Sequence, residues 1–414
     1  MPMRRVVVTG LGVASCLGND IDTFWNNLLQ GKSGVSRISR IDPSNLSVQI
    51  AGEVKDFDAT KKFDPKAVRR WDRFAQFAMW ATVDAVNDSK MTFDNEDKNR
   101  IGVVIGVGMG GIETWEKQHE NYLAKGPSRV SPLLIPMMIP DIASGNVAIY
   151  YGLRGPNYCT TSACASGANA IGNSFRHIRN GDADIMVTGG AEAPISGYCI
   201  SSFANMGALS KRNEEPEKAS RPFSKDRDGF VIAEGCGIVI LEELEHALKR
   251  NAKIYCEITG YGITGDGYHI TAPAPEGAGA YEAMRTAIKE SNLTTDDIDY
   301  INAHGTSTDL NDLTETQAIK RLFGERAKKI PVNSTKSMIG HTLGAAGAIE
   351  FIVMSLSVAN QKIHRTINYD NPDPELDLDY VPEGNRELLI RVALSNSLGF
   401  GGHNTCLLVK QFKA

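Results

Sequence analysis

The seven cysteines of this sequence include no CxxC pair, and that absence removes both a zinc knuckle and a redox dithiol. Cys16, Cys159, Cys164, Cys199, Cys236, Cys256 and Cys406 are scattered rather than framed as disulfides, so a reducing, cytoplasmic setting is expected. Net positive charge is missing too. A formal charge of -5 argues against nucleic acid as the main partner, because phosphate contact needs concentrated Lys and Arg. No apolar stretch reads as a membrane span of roughly 20 residues, so no membrane association is expected. With 42% hydrophobic and 22% charged residues, long disordered segments are not expected either.

Met1-Pro2-Met3-Arg4-Arg5, followed by an apolar run to Cys16, imitates a short export signal with a lipid-acceptor cysteine. The interior argues otherwise. Thr9-Gly10-Leu11-Gly12-Val13 recurs as Thr259-Gly260-Tyr261-Gly262-Ile263, each after a short β-branched run, and a removable signal needs no internal copy. Both read as a strand entering a glycine turn.

The repeat, at a spacing of about 250 residues, points to a duplication, and 414 residues are enough for two core-forming units. The apolar runs 185–190 and 392–397 end in small residues late in each half and fit buried strands. Segments 159–172 and 333–348 each pass from small polar residues into an Ala/Gly-rich helical pattern. Helical patterns over 70–86, 280–290 and 313–323 alternate with β-rich runs at 101–105 and 237–241, which implies layered α/β packing. The polar stretches 211–221 and 368–384 read as surface connections.

Three segments could carry chemistry. Thr161-Ser162-Ala163-Cys164-Ala165-Ser166-Gly167 places a cysteine among very small residues where a strand passes into a helix. Free N–H groups and the helix dipole there are expected to lower the thiol pKa and prepare a nucleophile. For the other six cysteines, inert burial is the plain reading. Asn302-Ala303-His304-Gly305-Thr306-Ser307-Thr308 follows an apolar run, which puts His304 at a strand end before a hydroxyl-rich loop. Lys336 to Gly347 brings Lys336 and His341 to the entry of the second small-residue helix. One Cys with two His suits a cysteine hydrolase, or equally a decarboxylative condensation in which two imidazoles stabilise a thioester enolate.

The same segments, together with Asn396-Ser397-Leu398-Gly399-Phe400-Gly401-Gly402, Ser220-Arg221-Pro222-Phe223 and Arg227-Asp228-Gly229-Phe230, resemble the condensing enzymes of fatty acid synthesis. The blocks run in family order along essentially the whole chain. Tyr268-His269-Ile270-Thr271 and Thr366 to Asp373 look most like the type II elongating β-ketoacyl-[acyl carrier protein] synthases. The resemblance implies a thiolase-like, five-layer αβαβα fold of two related halves, 1–250 carrying the nucleophile and 251–414 carrying the histidines. It implies Cys164 as acyl acceptor, His304 and His341 as the decarboxylation and enolate donors, and Lys336 with Glu350 as a supporting charged shell. The backbone N–H groups of Cys164 and Phe400 would form the oxyanion hole, with Phe400 also a gate.

By the same resemblance Thr306 and Thr308 would bind the phosphopantetheine arm, and Met109 would line the acyl pocket where a branched aliphatic residue is usual. His403 stands where family members usually have Thr, which leaves the geometry of that loop open. An acyl carrier protein, acidic in this family, would meet Lys66, Arg69 and Arg70, which fall at helical spacing. A homodimer is implied, and neither a metal nor a redox cofactor. The rivals are a ketosynthase of a polyketide pathway, a cysteine hydrolase and a noncatalytic carrier-binding subunit.

Overall fold

The computed structural model describes residues 3–413. Ten strands form the main sheet. In chain order they are β1 (Val6–Ala14), β2 (Ile101–Gly106), β3 (Asn157–Thr160), β4 (Ile185–Glu192), β5 (Gly235–Glu243), β6 (Cys256–Gly265), β7 (Tyr300–Asn302), β8 (Val332–Asn333), β9 (Val392–Gly399) and β10 (His403–Lys410). Their spatial order is 8-7-9-10-6-1-5-4-2-3. The first five and the last five strands therefore repeat one arrangement, each with three parallel strands followed by two antiparallel ones. The two sets meet only where β1 and β6 pair, from Val6 with Ile258 to Val8 with Cys256.

Five helices complete the layers: α1 (Arg73–Ser89), α2 (Ser166–Asn180), α3 (Ala278–Glu290), α4 (Asp309–Phe323) and α5 (Ala346–Asn360). Helices α2 and α5 pack on each other and on strands of both sets, and so form the central layer; α1 covers β1 and β5 on one outside, α3 and α4 the other. The result is the five-layer αβαβα order. Because both faces of the strands are covered, β1, β2, β4 and β5 are buried along their whole length.

The repeated glycine motif is not a turn. β1 continues through Gly10 and Gly12, and β6 through Gly260 and Gly262. The reason is contact with the outer helix. A Cβ at Gly10 or Gly12 would strike the carbonyl oxygens of Ala85 and Ala81 on α1, and one at Gly260 or Gly262 those of Ala287 and Ala283 on α3. Glycine lets each helix lie directly on its strand.

Burial bears on two further stretches of the sequence. Leu343–Asn360 is, among the described residues, one helical stretch long and apolar enough for a membrane on composition alone, but 89% of it is buried inside the protein. A helix enclosed by two sheets must be apolar all round, which produces the same composition. The stretch 368–384 is not merely superficial, since Leu376, Leu378, Tyr380 and Val381 are buried and Tyr380 stacks on Phe223 at 3.9 Å.

Candidate active site

Cys164 lies in the tight passage from β3 into α2. Ser166 Oγ, in the first helical residue, accepts the Ser162 N–H at 2.9 Å and donates to the Ala163 carbonyl at 2.6 Å. Ala163 takes a left-handed φ of 50°, a conformation that costs a non-glycine residue about 1–2 kcal/mol and presents the next side chain outward from the turn. The sulfur faces a cavity of about 420 Å³. Contrary to the sequence reading, burial pushes the thiol up to about 12, while the Lys336 charge and the N–H groups of Phe400 and Cys164 itself act in the opposite direction. Desolvation of this buried residue outweighs the favourable dipoles. Burial thus favours the neutral thiol.

His304 and His341 line the same cavity, with ring centroids 5.2 Å apart and planes at 84°. Burial drives both rings well below their ordinary pKa, and the Lys336 charge adds to this, so both are neutral at physiological pH. Their tautomers follow from the hydrogen bonds. The Lys336 ammonium donates to His304 Nδ1 at 3.1 Å, and the Leu343 backbone N–H donates to His341 Nδ1 at 3.3 Å. Ammonium and amide groups can only donate, so each Nδ1 is an acceptor and each ring carries its single proton on Nε2.

Lys336 is itself fully enclosed, donating to the His304 carbonyl at 2.7 Å and to Glu350 Oε1 at 2.5 Å. Burial lifts the Glu350 carboxyl to about 7, against the pull of Lys336. Lys336 and Glu350 stand behind His304 rather than in the cavity. Thr306, Thr308, Met109 and Phe400 do line it, and the Thr306 and Thr308 hydroxyls lie 2.9 Å apart. Asn404 and Asp266 also line it, with Asn404 donating to Asp266 at 2.7 Å, and the Gly401 N–H donates to the Ile270 carbonyl at 2.8 Å. His403 pairs with Gly399 across β9 and β10, and its ring lies beside Gly401.

Lys66, Arg69 and Arg70 are exposed and are not among the residues that line the cavity. The helix expected there is a single turn, Pro65–Val68, capped by Asp64, so Arg69 and Arg70 fall beyond its end. A proline start and short length leave no continuous basic face, but the three charges stay adjacent. Lys62, in the same segment, is engaged by Asp84 and lies 3.7 Å over the Trp80 ring.

Residues 3–247 match the family model for the β-ketoacyl synthase N-terminal domain, and residues 255–370 match the one for the C-terminal domain. The chain belongs to the β-ketoacyl synthase family. The synthase is 52% identical over 410 residues to a 3-oxoacyl-[acyl-carrier-protein] synthase 2 of Synechocystis sp., which covers 99% of both chains. It is 51% identical over 411 residues to the enzyme of that name from Staphylococcus aureus, again covering 99% of each. Among solved structures it resembles a type II PKS ketosynthase bound to the hexaketide, in complex with its acyl-carrier protein, at 38% identity and a TM-score of 0.92, covering 99% of this chain and 100% of that one. A β-ketoacyl synthase from Burkholderia phymatum superposes with a TM-score of 0.93 at 34% identity, with the same coverage. The synthase is a condensing enzyme that joins an acyl-enzyme intermediate to a malonyl unit.

Several residues that hold the synthase's site together escaped the sequence reading. On α4, Glu315 accepts the His304 and Gly305 N–H groups, both at 2.9 Å, and Asn396 at 3.1 Å. Asp312, one turn earlier, accepts Thr306 at 2.9 Å and Ser307 at 3.2 Å. The two carboxylates fix the loop 304–308 by its backbone. The available signal was their spacing of three on a helix directly after the histidine loop, which sets both on one face. Glu192, the one charged residue of β4 and its last, is the third such residue.

Proposed function

We propose that the synthase elongates fatty acyl chains carried on an acyl carrier protein, with Cys164 as the acyl acceptor and His304 and His341 as the donors for decarboxylation. The observation that carries this reading is the pair of neutral imidazoles that both present Nε2–H to the cavity of Cys164. Two donors aimed at one region suit a thioester oxygen that gains charge as an enolate forms. They do not suit a hydrolase. With each Nδ1 already occupied, neither ring offers a free acceptor to activate the water that a hydrolase needs to release its acyl group.

In the first half-reaction the Cys164 sulfur forms a bond to the acyl thioester carbonyl, and the bond to the pantetheine sulfur breaks. The thiol proton ends on the released pantetheine thiol. The N–H groups of Cys164 and Phe400, which favour negative charge at this point, would hold the tetrahedral oxyanion. In the second half-reaction the malonyl carbon–carboxylate bond breaks, carbon dioxide leaves, and its electron pair passes into an enolate held by His304 and His341. The enolate carbon then attacks the acyl carbonyl on Cys164 and expels the thiolate. Burial favours the neutral thiol, so the thiolate takes up a proton from water and the cycle closes.

Lys336, backed by Glu350, keeps His304 in the donor tautomer; Thr306 and Thr308 bind the pantetheine arm; Met109 and Phe400 bound the acyl chain. We assign the nucleophile to a half comprising 1–250 and the histidines to 251–414. The carrier protein docks at Lys66, Arg69 and Arg70, which are exposed and have no ion-pair partner within the described residues. A homodimer is supported by the helix Ile112–Lys125, which buries none of its residues, and by the exposed Ile149 and Tyr150 on a helix that packs against β3, the strand at the open edge. We assign the synthase to the cytoplasm, a reading that the scattered cysteines support because they suit a reducing compartment. A polyketide role is the second reading, prompted by the likeness to the type II PKS ketosynthase, but identity is higher to the relatives named 3-oxoacyl-[acyl-carrier-protein] synthase 2.

Incubation with acyl and malonyl carrier proteins, followed by mass analysis of peptides and products, tests the whole proposal. A β-ketoacyl product two carbons longer than the primer, with acylation at Cys164, is expected. Acylation at another cysteine, or release of free acid in place of condensation, would overturn it.

A further inference from the structure

Glu192 is fully buried and its side chain reaches the wall of the Cys164 cavity, yet no step above uses it. Its carboxylate accepts four backbone N–H groups from two separate segments. Oε2 takes Gly108 at 2.7 Å and Gly344 at 3.0 Å; Oε1 takes Met109 at 3.1 Å and Gly110 at 3.4 Å. A carboxylate persists in an apolar interior only where such donors replace water. Burial lifts it to about 7, while these N–H groups hold it down.

The surroundings are shaped to the carboxylate. A Cβ on Gly108 would lie 2.5 Å from Oε2, and one on Gly344 would lie 2.5 Å from the same oxygen. The Gly344 carbonyl is also hemmed in, since a Cβ on Gly167 of α2 would approach it to 2.9 Å and one on Gly190 of β4 to 2.7 Å. The pocket wall, the strand end, the nucleophile's helix and the turn after His341 therefore meet at one point. Moreover, Leu343, whose N–H sets the His341 tautomer, is the residue directly before the anchored Gly344.

We infer that Glu192 is a positioning residue that ties the acyl-pocket wall at Met109 to the turn that orients His341, so one carboxylate governs both chain-length choice and decarboxylation. This rests on the roles assigned above to Met109 and His341. Glu192→Gln is the direct test. The amide keeps the size but turns an NH₂ toward backbone donors, and since the wall loop donates to both oxygens and Gly344 lies against Gly108, either orientation disturbs both segments.

The expected result is a fall of about tenfold in kcat for malonyl decarboxylation at nearly constant KM, the loss typical of one hydrogen bond to a charged group. The ratio of long-chain to short-chain acyl transfer should change in the same variant. Met109→Leu, which alters the pocket wall and leaves Glu192 in place, calibrates how far the chain-length ratio moves. If E192Q leaves either readout at the wild-type value, the coupling is wrong. Should E192Q not fold, E192D, which keeps the charge but withdraws it by one methylene from both segments, is read in the same way. Wild type is measured first: failure to release carbon dioxide would sink the functional reading itself, whereas an active wild type with an unaffected E192Q sinks only this inference.

Discussion

The passage from β3 into α2 and the passage from β8 into α5 occupy the same place in two identically ordered sets of strands, yet they carry different chemistry. The first is short, residues 161–165, and holds a thiol at the turn. The second is longer, residues 334–345, and has room for the one-turn helix Lys336–Ile339, for His341 and for the turn that Glu192 anchors. Where the two sets agree, at Gly10 and Gly12 against Gly260 and Gly262, the shared residues serve helix-on-strand packing. The comparison separates positions that build the scaffold, which repeat, from the positions to which we assign the reaction, which do not.

The largest expected effect breaks one side of that comparison only. Cys164→Ser should lower condensation by at least about a thousandfold, because a hydroxyl is a far poorer acyl acceptor than sulfur at this buried site. Product formation from acyl and malonyl carriers measures it. Condensation within tenfold of wild type would remove Cys164 from the role.

Next comes the shared scaffold. Gly12→Ala and Gly262→Ala should each destabilise the fold by about 1–3 kcal/mol, since each added methyl meets a helix carbonyl and something must shift. Denaturant midpoints should fall alike for the two variants. A loss in one alone would mean that the two sets do not use the motif in the same way.

This division also explains what the sequence could and could not disclose. Cys164, His304, Lys336 and His341 were legible because a reactive side chain stands in each case among small residues beside a strand end. Glu192, Asp312 and Glu315 were not, because a lone carboxylate acquires meaning only from the backbone amides that distant segments bring to it. The repeated Thr-Gly motif is visible as a repeat and by itself suggests a turn, whereas the strand–helix contact that keeps it extended is a tertiary fact. Likewise the thiol pKa was read from the local helix start, whereas enclosure of Cys164 by the surrounding chain decides its direction. The short basic helix shows the same limit: charge spacing at Lys66, Arg69 and Arg70 was plain, but Pro65–Val68 ends before it can array them on one face.

Carrier docking should touch both half-reactions equally, since each substrate arrives on a carrier. Charge reversal at Lys66 and Arg69 should raise KM severalfold for acyl and malonyl carriers, an effect that salt diminishes, while small pantetheine thioesters respond little. An equal effect on the small thioesters would point to damage within the site instead. The smallest change is confined to the first set of strands. Met109→Phe should shorten the accepted acyl chain by filling volume, with malonyl decarboxylation nearly unaltered. An unchanged chain-length profile would exclude Met109 from the pocket wall.

The division of labour is tested most directly by carbon dioxide release from malonyl carrier protein in Cys164→Gln and in the double variant Cys164→Gln with His341→Ala. The side-chain amide imitates an acylated cysteine, so C164Q should form no β-ketoacyl product yet release carbon dioxide at the wild-type rate or faster. Adding H341A should lower that release by about 100-fold, the usual loss for one oxyanion donor. Decarboxylation that disappears in C164Q, or that survives unchanged in the double variant, would contradict the account.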